Sequence, residues 1–94
     1  MIQSFADKQT EELFVLAKTR RYPRDIVTRA RRKLRLIDAA GELDDLRVPP
    51  GNRLEALEGD RAGQHSIRIN RQWRICFIWR DGDAYDVEIN NHYA

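Results

Sequence analysis

The chain has 94 residues, 17 basic and 15 acidic side chains, a net charge of +2 and 41% apolar residues. That length suits one domain, residues 1–94, with one modest core, and the apolar content excludes a disordered chain. No apolar run is long enough to cross a bilayer and no basic-then-apolar start marks a signal peptide, so a cytoplasmic protein with no membrane partner is expected.

Taken in order, Ile2 to Phe5 reads as a short strand. Asp7 is a candidate N-cap for a first helix running to about Lys18, with Leu13, Phe14 and Ala17 as its apolar stripe. Pro23 then opens a second helix as its first-turn proline, and Gly41 is the expected stop after Ala40. Ile26, Val27, Ala30, Leu34 and Ile37 share one face of that helix, with Arg24, Arg31, Arg32 and Arg35 opposite and Arg29 and Lys33 at the edge. Lys18 to Arg35 holds nine basic residues and one acid, a segment charge of +8, so the remainder carries +2 − 8 = −6. Of the 17 basic residues, 14 are Arg. Arginine's planar fork matches phosphate oxygens, which suits a polyanion such as nucleic acid, and on charge alone a merely solvated helix face is an equal alternative.

Asp44 to Asn52 reads as a loop stiffened by Pro49-Pro50 and turned at Gly51. Arg53 to Glu58, closed by Gly59-Asp60, is too short for a stable helix and reads as a strand. Ile67 and Ile69, then Trp73, Ile75, Phe77 and Trp79, alternate with polar neighbours, the mark of strands with one buried face. A loop of Asn70, Arg71 and Gln72 sets Ile69 against Trp73, Arg68 against Arg74 and Ile67 against Ile75. A shift of one residue would oppose each Ile to a polar side chain. The favoured register therefore stands two arginines side by side, which calls for an anion or an acidic neighbour between them. A second loop of Asp81, Gly82 and Asp83 sets Trp79 against Tyr85, Phe77 against Val87, Ile75 against Ile89 and Arg74 against Asn90, with His92 across from Gln72. The elements sum to an α+β fold: two N-terminal helices packed on one face of a small, mainly antiparallel β-sheet.

Trp73, Phe77 and Trp79 fall on the isoleucine face and read as core rather than as base-stacking platforms. Cys76 reads as a small core filler. His65 reads as a strand-edge residue. Two histidines and one cysteine show no metal-ligand spacing, and no metal or other cofactor is expected. Metal-free RNA cleavage needs a base for the 2′-hydroxyl, a cation on the phosphate and an acid for the leaving 5′-oxygen. Arg74 with Arg68 suits the cation, His92 suits proton transfer, and Tyr93 suits an acid or a stacking role. Arg61 and Lys33 suit neighbouring phosphates. Arg74 also has a structural alternative, an ion pair with Glu88 or Glu55.

Several segments together carry a resemblance: Gly59-Asp60-Arg61-Ala62-Gly63, Ser66 to Asn70, Gln72 to Phe77, and Arg47-Val48-Pro49-Pro50-Gly51-Asn52-Arg53-Leu54. With Met1 to Phe5 and Leu36 to Ala40, they resemble the HigB family of the RelE/ParE toxin–antitoxin superfamily over nearly the whole chain. The resemblance implies a RelE-like fold and a type II toxin that cleaves mRNA in the ribosomal A site. A helix-turn-helix HigA antitoxin would neutralise it, and the pair would contact operator DNA through the antitoxin. It makes Arg74, His92 and Tyr93 the catalytic candidates. Arg68, Arg61, Lys33, Arg31, Arg32, Arg35 and Asn90 become the RNA- or ribosome-binding candidates. Some members end in Asp-Tyr-His where this chain has Asn91-His92-Tyr93, and some place a His and a Lys on the strand that here carries Glu55 and Glu58. Glu55 is then an alternative base. The other reading is a non-catalytic member that acts by binding its antitoxin and operator or, like ParE, DNA gyrase.

Overall fold

The structure is a computed structural model and describes residues 1–91. Two helices, α1 (Lys8–Leu16) and α2 (Arg24–Ala39), precede four strands: β1 (Glu55–Ala56), β2 (His65–Arg68), β3 (Trp73–Arg80) and β4 (Asp83–Asn91). The strands form one antiparallel sheet in sequence order. The α+β arrangement expected from the sequence is the one observed.

Asp7 caps α1, its carboxylate accepting from the Thr10 N–H at 2.7 Å. The helix closes before Lys18, because Ala17 turns left-handed (φ 55°) and donates its N–H back to the Leu13 carbonyl. Pro23 precedes α2 as its N-cap, one position earlier than expected. Ile26, Ala30, Leu34 and Ile37 are buried, as the 3.6 period required. Gly41 does not supply the stop. Ala40 turns extended and bonds to the Ile37 and Leu36 carbonyls, while the Gly41 N–H goes to the Asp45 carboxylate. Short 3₁₀ turns at Leu43–Arg47 and Pro50–Asn52 shape the loop that follows.

The β2–β3 register is the expected one, with Ile67 opposite Ile75 and Arg68 opposite Arg74. The Asn70 side chain fixes the turn, accepting from the N–H groups of Gln72 and Trp73 at 2.9 and 2.8 Å. The β3–β4 pairing is as expected only at one end, where Arg74 faces Asn90 and Ile75 faces Ile89. At the other end the loop is two residues, Asp81-Gly82, both left-handed at φ 52° and 83°, the geometry that matches strand twist. Trp79 therefore faces Ala84, and Tyr85 faces Ile78 rather than Trp79. A bulge absorbs the offset: Asp86, at φ 52°, is the extra residue on β4. Tyr85 is thereby moved off the core face and lies under Arg80, 4.8 Å from ring centre to guanidinium.

The bulge also explains the first segment. Ile2 to Phe5 is not a full strand but two isolated parallel bridges, Ile2 to Ala84 and Phe5 to Val87. Between them the Asp86 N–H bonds to the Ser4 hydroxyl at 2.9 Å, in place of a ladder bond.

Leu13, Ile26, Leu34, Ile37, Ile67, Ile75, Phe77, Val87 and Ile89 form the buried cluster, with Trp73 and Trp79 packed against it. Each such buried side chain contributes roughly 1.5–3 kcal/mol. Cys76 is buried too, but it alternates with Ile75 and Phe77 and so lies on the reverse face, outside that cluster.

One polar link crosses the core. The Thr10 hydroxyl accepts from the Ile89 N–H at 3.1 Å and meets the Tyr22 hydroxyl at 3.3 Å. Thr10→Val leaves that N–H unpaired and is expected to cost about 1–3 kcal/mol, read as a lower urea midpoint at unchanged slope. Burial raises the Tyr22 pKa above its usual 10.0. Folding therefore favours the neutral phenol. That contribution is complete below pH 10 and is lost as pH rises through 10 toward the folded value. The stability margin of wild type over Tyr22→Phe is expected to shrink between about pH 9 and about pH 11 in urea titrations.

Candidate functional site

The reverse face of the sheet carries two rows of side chains. Pairing sets Arg68, Arg74 and Asn90 side by side in one row. It sets Glu55, Ser66, Cys76 and Glu88 in the next. The first row concentrates positive charge, and the second is acidic at both ends.

The two rows are tied by ion pairs. Arg74 donates through Nη1 to the Glu55 carboxylate. Arg61, on the turn before β2, donates to Glu88 at 3.1 Å and to Gln64 at 2.9 Å. The acidic neighbour that the opposed arginines required is thus Glu55, while Arg68 turns its Nε to the Asn70 carbonyl at 3.0 Å. Burial raises the Cys76 pKa, and the charges around it, Arg61, Glu88, Arg74 and Glu55, largely oppose one another. Cys76 is a packed thiol beneath the two ion pairs.

Arg68 connects this face to a groove. The groove, about 630 Å³, runs between α2, the Pro49–Arg53 turn and the β2–β3 turn, and Arg29, Arg32, Lys33, Arg53, Arg68 and Arg71 line it. Its lining includes no acid. Among the described residues none of these cations forms an ion pair. Lys33 bonds to the Asn52 side-chain carbonyl, and burial together with Arg29 and Arg32 lowers its pKa. Asn52 is itself fully buried and donates to the carbonyls of Leu46 and Val48 at 3.1 and 3.2 Å. The Pro-Pro-Gly-Asn segment therefore forms a wall of the groove and holds Lys33 in it. A second depression, at the α1–α2 turn, mixes Lys18, Arg20, Arg21 and Arg24 with Glu12 and takes no residue from the sheet.

Of the sequence-derived candidates, Arg32, Lys33 and Arg68 meet in the groove, and Arg74 and Asn90 stand beside Arg68 on the sheet. Arg61 is held by Glu88. Arg31 turns away from the groove, its guanidinium donating twice to the Phe14 carbonyl near the end of α1. Arg35 is exposed on α2 and does not line the groove. His65 lies on the helix side of the sheet, 6.4 Å from Phe77 ring to ring, and does not share a face with Arg74. His92 and Tyr93 lie outside the described residues. Arg29, Arg53 and Arg71 are the groove cations that sequence reasoning did not single out. Arg29 precedes Lys33 by one helical turn and Arg71 occupies the predicted hairpin loop, and both positions were signals for them.

The family described as "RelE-like toxin of type II toxin-antitoxin system HigB" matches residues 3–92. Toxin HigB-1 of Vibrio cholerae serotype O1 is 43% identical over 93 residues, covering 98% of each chain. Endoribonuclease HigB of Proteus vulgaris is 36% identical over 93 residues, covering 99% of this chain and all of the relative. An uncharacterized protein of Haemophilus influenzae is 36% identical over 61 residues, covering 65% of this chain and 60% of the relative. A sheet face with opposed arginines, opening into a groove lined by cations, sits in a chain that belongs to the HigB-like toxin family of type II toxin–antitoxin systems.

Proposed function

We propose that this toxin is a metal-independent endoribonuclease that cuts mRNA held on the ribosome and so stops translation. Its neutralising partner is a HigA-type helix-turn-helix antitoxin, through which the complex contacts operator DNA. The observation that carries the reading is the acid-free groove of six cations, continuous through Arg68 with Arg74. Phosphates are the ligands such a groove suits, because neutralising each one releases a condensed counterion. The endoribonuclease activity named for the Proteus vulgaris relative supports the same reading.

In this mechanism Arg74 bears on the scissile phosphate and stabilises the charge that builds on it. Arg68 holds the adjoining phosphate. Arg29, Arg32, Lys33, Arg53 and Arg71 track the strand or ribosomal RNA beyond. Such contacts position the substrate without reading its bases. His92 is the proton-transfer group for the leaving 5′-oxygen, and Tyr93 serves as a further acid or stacks on the substrate. Every group named is a protein side chain, and the mechanism needs no metal.

One observation favours a different reading. Arg74 is already neutralised by Glu55, as an arginine with a structural role would be. A binding-only member, acting on its antitoxin and operator or on DNA gyrase, needs no more than that. Mapping 5′ ends by primer extension in a purified translation system separates the two. Wild type is expected to produce new ends only when ribosomes are present, and Arg74→Ala is expected to lose about 10²–10³-fold in rate. Intact mRNA with wild type contradicts the nuclease reading. The groove makes a second prediction. Arg32→Ala, Arg68→Ala and Arg71→Ala are each expected to weaken ribosome binding and to reduce the slope of log affinity against log salt by about one. An unchanged slope removes that residue from the interface.

A further inference from the structure

The bulge at Asp86 takes one aromatic side chain out of the core. On the reverse face, the row beyond Cys76 and Glu88 pairs Ile78 with Tyr85, and Arg80 follows on β3. Ile78 and Tyr85 are half-buried, yet neither packs against the core cluster. The Arg80 guanidinium lies over the Tyr85 ring, 4.8 Å from its centre. Arg80 is exposed and forms no ion pair among the described residues. Asp83, its partner across the strands, binds the Met1 ammonium instead. A cation–π pair at an exposed site adds little to stability, so the fold has small need of this one.

Unpaired nucleobases stack on aromatic rings and on guanidinium planes, and Arg80 over Tyr85 offers both. Ile78 sets an apolar side chain beside the ring. The pair also stands on the same face as Arg74. Ile78 is four residues from Arg74 along β3, ~14 Å at the rise of a strand. The acids between them, Glu55 and Glu88, are each held by an arginine. An RNA strand with a phosphate on Arg74 therefore reaches Tyr85 within a few nucleotides.

We infer that Arg80 and Tyr85 form a stacking site for one unpaired nucleobase of the mRNA, a few nucleotides from the cut. The inference rests on the nuclease reading above. The base lies on the solvent side of the guanidinium, with the Tyr85 ring behind it and Ile78 at its edge. Stacking tolerates every base, so the site anchors the strand on the sheet and does not select a sequence. Ground state and transition state share such a contact, so its loss raises KM and leaves kcat.

The test is ribosome-dependent cleavage of a defined mRNA by wild type, Tyr85→Ala, Tyr85→Phe and Arg80→Lys. The mRNA is used intact or with a single abasic nucleotide at successive positions on either side of the cut. Urea titrations confirm that each variant folds. On intact mRNA, Tyr85→Ala is expected to raise KM about 5–100-fold. Tyr85→Phe keeps the ring and is expected to recover most of that loss. Arg80→Lys keeps the charge without the plane and is expected to raise KM, as loss of a pure phosphate contact would not. One abasic position is expected to cost wild type a similar factor and to cost Tyr85→Ala nothing more. The same wild-type KM on every abasic mRNA overturns the inference and leaves the nuclease reading intact, whether or not Tyr85→Ala folds. So does a Tyr85→Ala loss that is equal on all the mRNAs, which would make the ring a support of the sheet. Arg80→Lys at the wild-type KM also overturns it, since charge alone would then suffice. No cleavage of intact mRNA by wild type overturns the nuclease reading, and the inference with it.

Discussion

Burying the Ile67, Ile75 and Phe77 face of the β2–β3 hairpin is the constraint from which the candidate site follows. A strand that commits its alternate residues to the core commits the others to the reverse face. Once Ile67 meets Ile75, Arg68 must meet Arg74. The core supplies the free energy, and its large side chains together outweigh the repulsion between the two guanidinium groups. Hydrophobic burial thus fixes where a concentrated positive charge stands. The acidic residues around it answer that charge: Glu55 takes Arg74, and Glu88 takes Arg61 beyond the buried Cys76 thiol.

The helices and the proline-rich turn extend that charge into a groove. α2 buries one stripe and carries Arg29, Arg32 and Lys33 along its edge toward the sheet. Asn52 binds three elements together, since its amide holds the Leu46 and Val48 carbonyls while its oxygen takes Lys33. A fully buried asparagine needs such partners, and here the need also sets the position of a lysine. The helix is not uniformly a binding surface. Arg31 donates to the Phe14 carbonyl and joins the two helices, so part of the basic stripe serves the fold.

Much of this was legible in the sequence. Period two gave the hairpin and its register, and period 3.6 gave the buried stripe of α2. The register alone called for an anion or an acidic neighbour between the opposed arginines. The β3–β4 turn was misread because uniform alternation favoured a three-residue loop. The chain uses a two-residue loop and restores the faces with a bulge at Asp86, and local patterning does not show where a bulge falls. Cys76 was read as core because cysteine is usually buried. It is buried, but under ion pairs on the reverse face. The groove was only half visible. Arg29, Arg53 and Arg71 come from three separated segments, and only tertiary packing brings them together.

The central claim is that the face carrying Arg68 and Arg74 is the phosphate-binding face. Its most direct test is a structure of the toxin on a ribosome whose mRNA lacks the 2′-hydroxyl at the cleavage position. The account predicts a backbone phosphate on the Arg74 guanidinium in place of the Glu55 carboxylate, and further phosphates along Arg68 and the groove. A phosphate backbone bound elsewhere, with Arg74 and Glu55 still paired, would contradict it.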